Sequence, residues 1–298
     1  MPTNEKIIDD ALGRIAAGYV FPERTAEIEG SLRRRLAEGA YDGLDGPTLC
    51  RTVTEHLQEV CPDKHLRLLW SDEPLPPARA DDEGRAAFLA LLRTENQGVR
   101  RVEQVDGNIG LIDIRRIADA GEGAAVIGAA MQVVAHTSAL VLDLRACRGG
   151  APEGAAMWCS YFFHDDQVHL NDIHDRTTGT TRQFWTAAHL PGPRYTDRPV
   201  YALTSATTFS GGEDVAYTLQ AHGRAVVVGE TTRGGAHPTA RHPITAHVLV
   251  TVPTARTVSA VTGTNWEGVG VAPDIAVPAD RAVDAALEAA RAELLRRS

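Results

Sequence analysis

The chain has 298 residues, a net charge of −9 at neutral pH, and a hydrophobic share of 43%. This length suffices for one large domain and a smaller one, and the apolar share is ordinary for a globular protein. The negative charge argues against nucleic acid as a partner, because phosphate backbones are bound by clustered Lys and Arg.

The N-terminus opens directly into an amphipathic pattern without the apolar stretch of a signal peptide, and no apolar run approaches the ~18 residues of a membrane span. The four cysteines have spacings that match no zinc or redox motif. We therefore expect a cytoplasmic protein with reduced thiols, no membrane association, no metal and no cofactor. These cysteines are Cys50, Cys61, Cys147 and Cys159.

Apolar residues recur at helical spacing through the first sixty residues, with a new helix predicted at Pro22 and a third over Thr48–Val60. A strand-like run follows the turn at Pro62-Asp63. We predict an N-terminal helical domain over residues 1–70, a polar linker over 71–101 and a main core over 102–298.

The main core predicts an α/β fold with a parallel sheet, because strands and helices alternate from 139 to 228. The buried strands are expected at Ala139–Leu144, Val200–Leu203 and Ala225–Val228. Residues 164–199 form a long polar insertion that contains Trp185 and suggests a lid or a binding wall. Two later runs, 247–252 and 257–261, predict a hairpin.

The turn between Leu203 and the next helix contains Ser210, Gly211 and Gly212. Two glycines in the first turn weaken a helix by about 1 kcal/mol each, so bare backbone has a purpose there. A serine at a helix N-terminus beside exposed N–H groups is a candidate nucleophile with its own oxyanion site. Spacing alone equally supports a capping box between Ser210 and Glu213.

Two further loops carry the same tripeptide, Arg148-Gly149-Gly150 and Arg233-Gly234-Gly235. Neither completes a phosphate-binding or dinucleotide-binding pattern, which argues against nucleotides. The histidines near the second loop lack a metalloprotease pattern, which argues against a metal.

Several segments in order resemble the C-terminal-processing (tail-specific) serine peptidase family. Leu140-Val-Leu-Asp-Leu-Arg-Ala-Cys-Arg-Gly-Gly150 is similar to the family pattern L-x-L-D-L-R-x-N-x-G-G, with Cys147 in place of asparagine. Thr204-Ser205, Phe209–Glu213 and Gly223–Thr232 resemble the family's nucleophile helix and following strand. The resemblance is closest to the bacterial branch related to interphotoreceptor retinoid-binding protein, which also has segments similar to Tyr19–Pro22, Asp63–His65, Val168–Ile173, Gly234–Pro238 and Gly263–Gly268.

The resemblance implies a crotonase-like (ClpP-like) spiral of ββα units with a small N-terminal helical domain. It implies that Ser210 is the nucleophile, and that the N–H of Gly211 and one from the Gly149-Gly150 loop form the oxyanion hole. The family's PDZ domain is not expected, because residues 71–101 are too few to form one.

Two assignments of the general base are compatible with the sequence. Tail-specific enzymes use a lysine at the position of Gly235, and no lysine lies between Glu230 and Pro238. Similarity to the tricorn protease catalytic domain implies His65 as base and Glu267 as its carboxylate, with Lys64 where tricorn has a serine. Glu230 and His237 form the rival pair.

Three functions follow from this resemblance. The first is a serine hydrolase of peptidase type, acting on a peptide or a small acyl substrate, with Gly234, Gly235, His237 and Trp185 bordering the substrate. The others are a non-catalytic module for an apolar ligand and a repurposed biosynthetic enzyme. A homo-oligomer is compatible with each.

Overall fold

The computed structural model describes residues 2–75, 89–165 and 167–297. Within them the chain forms two compact units. The smaller unit joins Met1–Phe88 to two later segments, Ile173–Arg182 and His237–Thr257. The larger unit comprises Leu89–Asp172, Gln183–Ala236 and Val258–Ser298. The centre of the predicted linker, 76–88, lies outside the described residues.

Three helices begin the smaller unit, as the periodicity predicts: α1 (Asn4–Gly18), α2 (Pro22–Ala37) and α3 (Gly46–Val60). Their starts have local causes, since Thr3 and Asp45 accept hydrogen bonds from first-turn N–H groups and Pro22 occupies the first turn of α2. Their apolar faces bury Ile8, Leu32 and Leu57 in one core.

An antiparallel sheet completes this core, with strand order β1-β10-β9. Its strands are β1 (Arg67–Trp70), β9 (Thr239–Pro243) and β10 (Val248–Pro253). The predicted hairpin between 247–252 and 257–261 is wrong, because β10 pairs with β1 and β9. Only Thr254 separates β10 from β11 (Ala255–Ser259), too little chain for a hairpin reversal.

The larger unit contains a six-stranded sheet of order β12-β8-β7-β4-β3-β2. β2 is antiparallel to β3, while β3, β4, β7, β8 and β12 run parallel to one another. The strands are β2 (Val99–Val105), β3 (Ile109–Ile114), β4 (Ala139–Asp143), β7 (Val200–Thr204), β8 (Val226–Gly229) and β12 (Ile275–Ala276). The fold is mixed α/β, as predicted.

Helices cover both faces of this sheet. These helices are α4 (Ala120–Val133), α5 (Pro152–Ser160), α6 (Gly211–Ala221) and α7 (Ala282–Arg297). Leu140 and Leu142 of β4 belong to the core that includes residues of α4, α5 and α6, whereas Val141 belongs to the core beneath α7. Alternate strand residues point to opposite faces, so β4, which is apolar from Ala139 to Leu142, is buried on both sides.

The predicted insertion contains two strands, β5 (His169–Asp175) and β6 (Thr180–Trp185), in a sheet of order β11-β5-β6. The division of the chain into two units passes through each of these strands. No helix among the described residues is both long and apolar enough to cross a membrane.

Candidate active site

Ser210 lies in a strained turn between β7 and α6. Its φ of 54° and ψ of −120° are unfavourable for a residue with a side chain. Such strain costs about 1–3 kcal/mol and persists only where the surroundings impose it. One restraint is Glu213, whose carboxylate accepts the Ser210 N–H at 2.7 Å. The glutamate half of the predicted capping box is thereby confirmed.

The Gly149-Gly150 loop meets this turn backbone to backbone. It follows β4, which lies parallel to and beside β7, so both loops leave the same edge of the sheet. Gly149 has a φ of 88°, and a Cβ there would lie 2.7 Å from the Cβ of Ser210. A Cβ on Gly211 would lie 3.0 Å from the N of Gly150. The glycines allow this close approach.

Hydrogen bonds join the two loops along their length. The N–H of Phe209 donates to the carbonyl of Cys147 at 3.0 Å. The hydroxyls of Ser205 and Thr208 donate to the carbonyls of Arg145 and Leu144, at 2.6 and 2.9 Å. Contacts within the protein therefore hold the backbone around Ser210 in place, which suits a preorganised site.

Cys147 packs beneath the start of α6. It is fully buried, and a Cβ on Gly212 would lie 2.9 Å from its sulfur. Burial raises the pKa of the Cys147 thiol to about 12, against the opposing effect of a backbone hydrogen bond from Gly149. At neutral pH Cys147 is a protonated, inert packing residue.

Glu213 is a buried hub that joins three segments. Besides the Ser210 N–H it accepts the N–H groups of Gly234 and Gly235, at 2.6 and 2.9 Å, and the Thr232 hydroxyl at 2.5 Å. Burial raises the pKa of Glu213, while these hydrogen bonds lower it. The amides of the second glycine loop thus bind Glu213. Sequence analysis identified Glu213 only as half of a capping box.

Glu267 lies in a turn attached to the same glycine loop. Its carboxylate accepts the Ala236 N–H at 2.5 Å. The Gly268 N–H donates to the Gly234 carbonyl at 3.1 Å, and the Trp266 indole N–H donates to the Gly235 carbonyl at 2.9 Å. Glu267 is half-buried and its position is tied to the loop that Glu213 anchors.

In the smaller unit, Asp63 binds both candidate histidine segments. One carboxylate oxygen accepts the backbone N–H of half-buried His65 at 3.0 Å, and the other lies 2.8 Å from Nδ1 of buried His237. Tyr19 donates its hydroxyl to Asp63 at 3.3 Å. Sequence analysis missed this role, although an Asp two residues before a turn histidine is a known pattern for backbone binding.

Glu230 has a structural role in the larger unit. Its two carboxylate oxygens accept the N–H groups of Ala206 and Ala279, both at 3.0 Å. These hydrogen bonds lower the pKa of Glu230. Within the smaller unit, the Asp63 carboxylate lies 2.8 Å from Nδ1 of His237. The Glu230–His237 pair stays a prediction.

Trp185 is 46% exposed and stacks on His169, with ring centroids 4.5 Å apart and an interplanar angle of 10°. His169 is itself held by Asp172, with 2.7 Å between Nε2 and a carboxylate oxygen. Since the ring is supported on one face and open to solvent, Trp185 can accept an apolar group by stacking.

Comparison with known proteins agrees with this architecture. Residues 108–277, more than half of the chain, match the model of peptidase family S41. A putative peptidase from Parabacteroides merdae shares 17% identity over 97% of each chain, with a TM-score of 0.66. A lipoprotein from Streptococcus agalactiae shares 14% identity over 98% of this chain and 97% of that one, with a TM-score of 0.62. The tricorn protease shares 13% identity over 98% of this chain and 37% of that one, with a TM-score of 0.58. At these identities the solved structures establish a common fold.

Proposed function

This chain belongs to peptidase family S41 and is a serine peptidase, and we propose that Ser210 is its nucleophile. The observation that carries the assignment is the strained Ser210 at a glycine-lined junction of two parallel strand ends. Ligand sites in open α/β sheets occur at the carboxyl ends of the strands. A serine that only caps α6 would not need the glycines of a second loop, Gly149 and Gly150, packed against it.

We assign the oxyanion hole to the N–H groups of Gly211 and Gly150. The close approach of Gly211 to the Gly150 nitrogen supports convergence of both amides on one carbonyl oxygen. Each such donor is worth about 10²–10³ in rate.

For the general base we retain His65, with Glu267 as its carboxylate, and Lys64 without a catalytic role. The Asp63–His237 pair is the alternative, because a buried carboxylate bonded to Nδ1 holds an imidazole in the tautomer that accepts a proton at Nε2. A substitution experiment distinguishes the two.

The proposed reaction is acyl transfer. The base takes the proton of the Ser210 hydroxyl while Oγ attacks the peptide carbonyl, whose oxygen becomes the anion held by the two amides. The protonated base then gives its proton to the leaving amine as the C–N bond breaks. Water repeats the sequence on the acyl-enzyme, which releases the acid and restores Ser210.

The remaining assignments complete the proposal. The substrate is proposed to be a peptide or a small acyl compound bordered by Trp185, Gly234, Gly235 and His237. The N–H groups of Gly234 and Gly235 do not bind the substrate themselves, because they donate to Glu213. The core is proposed to be a crotonase-like spiral without a PDZ domain. The protein is proposed to be cytoplasmic and to form a homo-oligomer.

Labelling with a fluorophosphonate tests the nucleophile. We expect one adduct per chain, mapped by mass spectrometry to the peptide containing Ser210 and absent from Ser210→Ala. Ser138→Ala is the matched control, because Ser138 precedes β4 at the opposite end of the strands and should label as the wild type. EDTA in every sample excludes a metal-dependent reaction. An adduct elsewhere, or none while a known serine hydrolase labels in parallel, would overturn the assignment.

Separate substitutions of the two histidines test the base. We expect His65→Gln to slow labelling by at least 10³ and His237→Gln to slow it far less, with both variants checked for native circular dichroism. A larger loss in His237→Gln transfers the role to the Asp63–His237 pair, and in that case Asp63→Asn should behave like His237→Gln.

A further inference from the structure

Asp214, the neighbour of Glu213 in the first turn of α6, is a buried carboxyl that the mechanism above does not use. Its N–H donates to the Ser210 carbonyl at 2.9 Å, so it belongs to the same turn as the nucleophile. One carboxyl oxygen accepts two hydrogen bonds, from the Asn171 amide at 3.0 Å and from the Thr218 hydroxyl at 3.1 Å.

The side-chain oxygen of Asn171 is the unusual atom of this pair. Its Oδ1 is buried, with no hydrogen-bond donor among the described residues. A buried acceptor without a donor costs about 1–3 kcal/mol, and native structures contain few of them. A carboxylic acid has one O–H donor besides its acceptor oxygen, whereas a carboxylate only accepts. A neutral Asp214 can therefore form two complementary hydrogen bonds with the Asn171 amide, and an ionised one cannot.

We propose that Asp214 is held as a neutral carboxylic acid that donates its O–H to Asn171 Oδ1, and that this acid–amide pair positions the nucleophile turn against β5. Asp214 is a positioning residue, since it acts on Ser210 through the backbone. Ionisation would leave two acceptor oxygens facing each other and would loosen β5 from the first turn of α6.

The surroundings support the neutral form. The groups recorded around Asp214 are Asn171 from β5, Thr218 from α6 and the thiol of Cys159 from α5, and none of them is a cation. Burial raises the pKa of Asp214 to about 7, although the hydrogen bonds from Thr218 and Asn171 oppose the shift. Burial raises the pKa of Cys159 well above its usual value, so the thiol stays protonated.

Infrared spectroscopy measures the proton directly. The spectrum of the wild type minus that of Asp214→Asn, in D₂O at pD 5.5, should contain the C=O stretching band of one protonated carboxyl. This band should disappear on titration through neutral pH. A difference spectrum with only carboxylate bands at pD 5.5 would disprove the neutral acid, whatever the role of Ser210.

Stability against pH provides a second test that is independent of catalysis. In unfolded chains the carboxyl has an ordinary pKa of 3.8. Because the folded pKa is higher, the folded state binds more protons between these values, and the wild type loses stability as pH rises from about 4 to about 7. Asp214→Asn retains both hydrogen bonds as an amide pair and should lack this loss, whereas Asp214→Leu should be destabilised at every pH. If the wild type instead gains stability relative to Asp214→Asn as pH rises from about 4 to about 7, the folded state prefers the carboxylate and the proposal fails.

The proposed effect of Asp214 on catalysis rests on the proposed role of Ser210 as the nucleophile. We expect the labelling rate of the wild type to fall above neutral pH, by about tenfold per pH unit, and that of Asp214→Asn to lack this alkaline limb. If Ser210 does not label at all, the proposed function fails while the infrared band can still be present. An alkaline limb of equal position in both proteins would overturn the positioning role.

Discussion

The two Arg-Gly-Gly loops share a tripeptide and a positive φ at its first glycine, but they have different roles. Gly149 and Gly234 have φ values of 88° and 84°. A Cβ on Gly149 would meet Ser210, whereas a Cβ on Gly234 would lie 3.0 Å from the backbone N of Gly270. The first loop abuts the nucleophile turn, and the second uses its amides to bind Glu213.

Glycine backbone therefore has two different roles around Ser210. In the first loop glycine allows another backbone to approach closely, which leaves room for a substrate carbonyl. In the second, glycine N–H groups stabilise a buried carboxylate by hydrogen bonding, and that carboxylate in turn holds the Ser210 N–H. We expect substitutions in the first loop to reduce catalysis and those in the second to reduce stability.

The largest expected effect is that of Gly149→Ala. A Cβ 2.7 Å from Ser210 displaces the oxyanion loop, so the labelling rate should fall by about 10² or more. Gly223→Ala is the matched control, because its φ of 64° carries similar backbone strain with no atom within 4 Å of the added Cβ. Gly234→Ala should keep a higher rate per folded molecule than Gly149→Ala, and equal rates would erase the distinction between the loops.

The next effect is that of Glu213→Gln on stability. The glutamine side chain has an NH₂ donor in place of one acceptor oxygen, and this donor would face the N–H groups that bind Glu213. We therefore expect the free energy of unfolding, measured in urea, to fall by about 3 kcal/mol. Glu230→Gln, which alters a carboxylate bound to two backbone amides at the surface, should lose less. Equal losses would show that Glu213 is no more central than Glu230.

The smallest effect concerns the two arginines. The Arg233 guanidinium lies over the Phe209 ring, 4.8 Å from its centroid, whereas Arg148 is exposed. We expect Arg233→Ala to lose about 0.5–1 kcal/mol and Arg148→Ala to stay within about 0.5 kcal/mol of the wild type in the same unfolding measurement. A larger loss in Arg148→Ala would contradict the solvent-exposed role of its side chain.

Local patterns were sufficient for much of the site. An apolar run followed by Ser210, two glycines and Glu213 predicted the strand, the turn and the helix, because strand propensity and capping act over a few residues. The run before Gly149 predicted a neighbouring parallel strand, so the convergence of the two loops could be expected from the sequence. The hairpin error arose where strand pairing depended on β1, far away in the chain.

The sequence by itself therefore determined the mixed α/β fold and the helix that begins after Ser210. Only the tertiary structure decided the positive φ of Ser210, the four hydrogen bonds to Glu213 and the pairing of Asp63 with His237, 174 residues apart. The physical reason is that a buried charge or donor must find its partner wherever the folded chain brings one. Propensity and periodicity act over a few neighbours, so they predict which residues become buried but not which distant group will satisfy them.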